Sequence, residues 1–146
     1  SDGPSEIVSL FRFENQLESV KQFKQNITEG KNFLENTDSV LSQATDVVQR
    51  ARELAVRGAN DSLNEEAREN IANEINQRLE ELVDLANSKI GGKYLFGGSE
   101  TEISGDLFTV RRNGDGEIVE VTYNGDTNSS KKEVGDGEKV TSNLIG

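Results

Sequence analysis

The run from Leu10 to Gly58, LFRFENQLESVKQFKQNITEGKNFLENTDSVLSQATDVVQRARELAVRG, carries apolar residues at equal seven-residue steps: Phe13, Val20, Ile27, Leu34, Leu41, Val48 and Ala55. Leu10 and Leu17 stand beside that row in its first half, and Val40, Val47 and Leu54 in its second. A step of seven spans two helical turns and keeps the row on one side, whereas a strand alternates every second residue, so the run predicts one long helix. At ~1.5 Å per residue, a helix from about residue 5 to 57 is roughly 80 Å long, beyond the diameter of a domain of this size. Such a rod is suited to holding or joining things.

The ends of this helix are marked. Pro4 suits a first turn, with Asp2 or Gly3 as cap. Arg52 and Arg57 favour the negative end of the helix dipole, and Gly58 can turn left-handed after it. Gly30 is the one weak point inside the span. The apolar shoulder changes side along the run. A single two-stranded coiled coil would keep it on one side, so the neighbours of the helix are expected to change along its length.

A second helix is announced by Ser62-Leu63-Asn64-Glu65, a capping-box pattern, and runs to about Ile90 through Ala67, Ile71, Ile75, Leu79, Leu82 and Ala86. The connection from Gly58 to Asp61 is short enough to force an antiparallel hairpin. The second helix then reaches back along the first only to about Lys31. Phe11, Phe13, Leu17, Val20, Phe23 and Ile27 are left without a partner, a stripe holding back about 10 kcal/mol of burial. Its cover is either the glycine-rich part folded back, another segment, or another subunit.

Composition changes near Ile90. Of the fourteen glycines, three precede it and eleven follow, and glycine disfavours helix interiors. Leu107 to Arg112 and Glu117 to Tyr123 read as strands around the turn Asn113-Gly114-Asp115-Gly116. Weaker strands follow at about 131 to 135 and 138 to 142, punctuated by Asn124-Gly125-Asp126, the polar 127 to 130, and Gly135-Asp136-Gly137. Tyr94-Leu95-Phe96 forms a short strand or hooks into the core. The expected fold is therefore α+β: an antiparallel α-helical hairpin rod over residues 1–98, then a small, partial antiparallel β domain over 99–146. The β pieces are too poor in apolar residues to stand alone.

The totals narrow the chemistry. A net charge of −11 repels phosphate backbones, so nucleic acid is not an expected partner. No apolar run is long enough to span a membrane, and no leader pattern opens the chain. With neither His nor Cys, the usual general bases, thiol nucleophiles and cysteine-based metal sites are gone. The carboxylate clusters Glu65, Glu66, Glu69 and Glu80, Glu81, Asp84 read as the solvated face of an amphipathic helix. The cations Arg50, Arg52, Arg57 and Arg78 read as local pairs, for example with Asp46 and Glu53. Asn113 to Glu117 resembles the head of a calcium loop but has Ile118 and Asn124 where glycine and a bidentate glutamate are needed. Gly91-Gly92 and Gly97-Gly98 lack nucleotide-binding spacing and read as a helix stop and a tight connection. No enzyme activity, cofactor or metal is expected. The absence of Met and the abrupt Ser1-Asp2-Gly3-Pro4 opening suggest an excised fragment.

Specific strings then become recognisable. Val48-Gln-Arg-Ala-Arg-Glu-Leu-Ala-Val-Arg-Gly-Ala-Asn60 and Glu74-Ile-Asn-Gln-Arg-Leu79 resemble the conserved N-terminal rod, of the D1 type, of the bacterial flagellin family. Ser1-Asp-Gly-Pro4 is similar to the Ser-Asp-Asp-Pro that begins that family's long helix, with Gly3 departing from it. Gly92-Lys-Tyr-Leu-Phe-Gly-Gly-Ser99 favours the branch at the hook-filament junction over the filament subunit, whose corresponding stretch usually reads Phe-Asn-Gly. Tyr123-Asn-Gly-Asp126 and Glu133-Val-Gly-Asp-Gly137 fit the variable β domain of that branch.

The resemblance implies a secreted structural component of the extracellular flagellum. Its implied partners are copies of itself in a tubular layer, the neighbouring hook-associated protein and flagellin, and an export chaperone for the full-length chain. It also implies further terminal segments, among them a C-terminal helix that packs along the long helix and would cover Phe13, Leu17, Val20, Phe23 and Ile27. In flagellins an innate immune receptor docks on the face that corresponds to Arg50, Leu54 and Glu74, which with Arg57 forms a second candidate interface. A filament subunit and a surface binding module remain alternatives at this point.

Overall fold

A computed structural model describes residues 3–99, 103–126, 131–135 and 138–141. Two helices, α1 (Gly3–Gly58) and α2 (Glu65–Ala86), form an antiparallel hairpin. Six short strands follow: β1 (Lys89–Ile90), β2 (Lys93–Tyr94), β3 (Phe108–Arg112), β4 (Ile118–Tyr123), β5 (Lys131–Gly135) and β6 (Glu138–Thr141). They pair antiparallel as β1–β2, β3–β4 and β5–β6. The α+β architecture is the expected one. The expected cap at Asp2, the polar stretch 127 to 130 and the turn at Asp136-Gly137 lie outside the described residues.

The 56 residues of α1 run unbroken through Gly30 and make a rod of roughly 84 Å. Its covered side is not the evenly spaced seven-residue row but the shoulder beside it. The residues turned inward alternate in steps of three and four: small Gly30, Thr37, Ala44, Ala51 and Gly58 interleave with Phe33, Val40, Val47 and Leu54. The row Phe13, Val20, Ile27, Leu34, Leu41 and Val48 lies one residue further round, ~100° away, and is exposed from end to end. Where α2 runs beside it, from Thr37 to Gly58, small residues explain the choice, because they let a second helix axis come close while the larger ones fill the space between. At Gly58 an added Cβ would sit 3.2 Å from Cγ2 of Ile71. Gly58 thus serves close approach of α2; it stays in the helix and is not among the left-handed glycines.

Three details of α2 also depart from expectation. Its cap is Asn64, extended at φ −74° and ψ 169°, with Oδ1 accepting the Ala67 amide at 2.8 Å. Ser62 instead donates to Oδ1 of Asn60 at 2.8 Å, so the capping box does not form. The helix stops at Ala86 rather than Ile90, because Lys89 and Ile90 pair with Tyr94 and Lys93. Gly91 and Gly92, at φ +56° and +81°, supply the two left-handed residues that a type I′ hairpin turn requires. With 22 residues, α2 covers only about 33 Å of α1.

Beyond the reach of α2 the glycine-rich part folds back. Tyr94, Leu95, Phe96 and Leu107 form a buried cluster, packed by Phe33 and Val40 from α1 and by Ile90, Ile103, Phe108 and Tyr123. Buried hydroxyls require partners, and both tyrosines of the chain use theirs on loop carbonyls. Tyr94 Oη donates to the Gly105 carbonyl at 2.5 Å, and Tyr123 Oη reaches the carbonyls of Asp126 at 2.7 Å and Phe96 at 3.0 Å. The strand β5 lies against α1 as well. The stripe from Phe13 to Ile27 stays open, with Phe23 alone half-buried.

Candidate assembly surface

The open stripe is a row of large side chains on one helix face: Leu10, Phe13, Leu17, Val20, Ile27, Leu34, Leu41 and Val48. Exposure is 69% at Phe13, 57% at Val20 and 53% at Ile27, and still 43% at Leu41 beside the hairpin. Single exposed apolar residues are ordinary, but a contiguous stripe of this length marks an interaction surface. Near the start of the rod, Ile7, Val8 and Phe11 are exposed too, so the first turns are apolar on several sides. A helix apolar all round is normally enclosed. Leu34, Leu41 and Val48 extend the surface beyond the stripe expected from the sequence. Their heptad spacing is visible in the sequence; α2 covers the neighbouring row of Val40, Val47 and Leu54 instead.

The second candidate interface is closed on itself. Arg50 donates to Glu74 through Nε at 3.2 Å and Nη2 at 2.9 Å, and pairs with Glu53 at 3.3 Å. Arg57 pairs with the same Glu74 at 3.7 Å. Hydrogen bonding to Glu74 raises the Arg50 pKa above its ordinary value. Glu74 thus ties α2 to two arginines of α1, where only pairs within one helix were expected; Arg78–Glu81 at 2.6 Å is of that local kind. Leu54 is 1% exposed, so its side chain is taken up by the packing of the hairpin.

Glu80 is likewise more than a solvated carboxylate. It holds the Arg112 guanidinium of β3 through both oxygens, Nη2 to Oε2 at 2.8 Å. That hydrogen bond lowers the Glu80 pKa, with desolvation opposing it. A carboxyl whose folded pKa is depressed contributes stability above its unfolded value and loses it as pH falls through the folded one. The Glu80 carboxyl should therefore titrate below 4.5 by NMR, and Arg112→Gln should return the midpoint toward that ordinary value. The turn between β3 and β4 is an Asn-capped hairpin: Asn113 Oδ1 accepts the amides of Asp115 at 3.1 Å and Glu117 at 2.9 Å. Among the described residues no group of three or more acidic, His or Cys side chains is placed to hold a metal, and no helix is long and apolar enough to cross a membrane.

Comparison with known proteins agrees with this geometry. The family model described as the bacterial flagellin N-terminal helical region matches residues 1–101. Flagellin FlaB1 of Treponema pallidum is 30% identical over 106 residues, covering 72% of this chain and 37% of that protein. Flagellar hook-associated protein 3 of Escherichia coli is 39% identical over 66 residues, covering 44% of this chain and 21% of that protein. The crystal structure of the flagellar junction protein FlgL from Legionella pneumophila superposes with a TM-score of 0.72 at 26% identity, covering 97% of this chain and 41% of that one. The chain spans well under half the length of each of these three proteins.

Proposed function

Because this chain belongs to the bacterial flagellin family, we propose that it is a structural part of the extracellular flagellum, acting as an adaptor where the hook meets the filament. One observation carries the reading: a rod of roughly 84 Å exposes an apolar stripe along its length that its own hairpin leaves uncovered. Burying that stripe against further helices, from the rest of the protein or from neighbouring copies, is what would hold rods side by side in a tubular layer. Hook-associated protein and flagellin are the neighbours on the two sides of such a layer, and an export chaperone would keep the stripe covered before secretion. Phe13, Leu17, Val20, Phe23 and Ile27 are the contacts of this surface. Arg50, Arg57 and Glu74, already neutralising one another, make a subsidiary partner face, with Leu54 beneath it.

The likeness to hook-associated protein 3 and to a junction protein supports the junction over the filament. The match to a flagellin over 72% of the chain favours a second reading, a filament subunit. Deleting the gene separates the two. At the junction, the mutant keeps its hooks and sheds flagellin into the medium; as a filament subunit, the protein dominates sheared filaments by mass. Normal filaments in the deletion strain would refute both.

A further inference from the structure

One face of α2 packs on α1; Asn76, Glu80 and Asn87 turn to the β3–β4 hairpin instead. Asn87 Nδ2 donates to the Phe108 carbonyl at 2.9 Å while its Oδ1 accepts the Phe108 amide at 2.7 Å. One carboxamide thereby meets both main-chain groups of a strand residue, as a neighbouring strand would. Asn76 Oδ1 accepts the Ile118 amide at 3.1 Å. Glu80 grips Arg112 in the two-pronged geometry that fixes direction as well as distance. The register shift between Arg111 and Arg112 sets Arg112 opposite Ile118, so both contacts fall at the turn end of the hairpin.

The spans agree. Asn87 lies about 16 Å from Asn76 along the helix, and Phe108 lies about 13 Å from Arg112 along the strand. The strand β3 therefore runs beside α2 in the opposite direction. Phe108 and Tyr123 pack on the buried cluster and secure the hairpin at the end away from its turn. Toward the turn Val119 and Val121 are exposed and Ile118 is only half-buried. Apolar packing is non-directional, so on its own it would let the hairpin swing about that end.

We infer that Asn76, Glu80 and Asn87 are positioning residues that set the direction of the β3–β4 hairpin along the rod. Three contacts that do not share a line orient a rigid body, and these meet the hairpin at the start of β3, the end of β3 and the start of β4. The inference is independent of whether the chain serves at the junction or in the filament.

The chain has no cysteine, so Ser42→Cys and Asp115→Cys, both at exposed positions, give a clean spin-label pair between rod and hairpin turn. Pulsed electron paramagnetic resonance should show one narrow distance in this background. Adding Asn76→Ala, Glu80→Gln and Asn87→Ala together should broaden or shift it while helix content by circular dichroism is kept. An unchanged distribution would overturn the inference. Single variants keep the test open should the triple variant lose its hairpin. Asn87→Ala should speed amide exchange several-fold at Phe108, and Asn76→Ala at Ile118, each leaving the other site near its original rate. Equal acceleration of all β3 and β4 amides in both variants would reduce these residues to general stabilisers and refute the positioning role.

Discussion

Leu54→Ala is expected to destabilise the isolated chain by about 2–5 kcal/mol, the range for deleting a fully buried leucine side chain and leaving a cavity. Leu54 lies one turn before Gly58 on the inward face of α1, where α2 comes close enough for Ile71 to crowd a Cβ at Gly58. Among the described residues few apolar side chains are buried to that degree, so little else can compensate. Against the roughly 5–15 kcal/mol that holds an ordinary domain together, the loss is a large fraction of the total. Leu41→Ala is the control, since it removes the same atoms from the neighbouring heptad row, where the side chain is 43% exposed. Its cost should be about 1 kcal/mol or less. Urea unfolding followed by circular dichroism measures both, and equal costs would mean that the inward row has been misassigned.

The largest functional effect should come from the opposite choice of row. Phe13→Asp, Val20→Asp and Ile27→Asp introduced together place three carboxylates on the open stripe. In the isolated chain these positions face water, so the variants lose only helix propensity, about 0.5 kcal/mol or less per site. In an assembled rod layer each would bury an unpaired charge, at a cost of several kcal/mol. Every 1.4 kcal/mol is tenfold in an equilibrium constant, so assembly should weaken by more than about a thousandfold. Expressed from the full-length gene in a deletion strain, the triple variant should fail to restore motility and be absent from sheared flagella, while the purified chain keeps its helix content. Restored swimming would remove the stripe from the assembly surface and leave the proposed function without its main support.

The two experiments form a pair because the heptad pattern of α1 is double. At 33/34, 40/41, 47/48 and 54/55 adjacent positions are both apolar or small, so periodicity alone offers two rows, ~100° apart, as the inward side. The candidate surface is therefore legible as a stripe but not in its extent: Phe13 to Ile27 stand out for lack of a hairpin partner, while Leu34, Leu41 and Val48 lie within reach of the second helix and are exposed all the same. Leu54 shows the converse, a position proposed for an interface that the hairpin consumes. Asn87 carried no usable signal, since its hydrogen bonds to Phe108 join residues far apart in the chain.

What the sequence determined by itself is what local geometry decides. A seven-residue step makes a long helix, a short polar connection after Gly58 turns it back, and Asn113 to Gly116 closes a hairpin, because each depends only on backbone preferences within a few residues. The tertiary structure alone decided which apolar row of α1 faces inward, where α2 stops and how β3 lies beside it. Those choices depend on how closely two axes can approach, which the small residues from Thr37 to Gly58 permit on one side of the rod, and on which distant main-chain groups meet the carboxamides of Asn76 and Asn87.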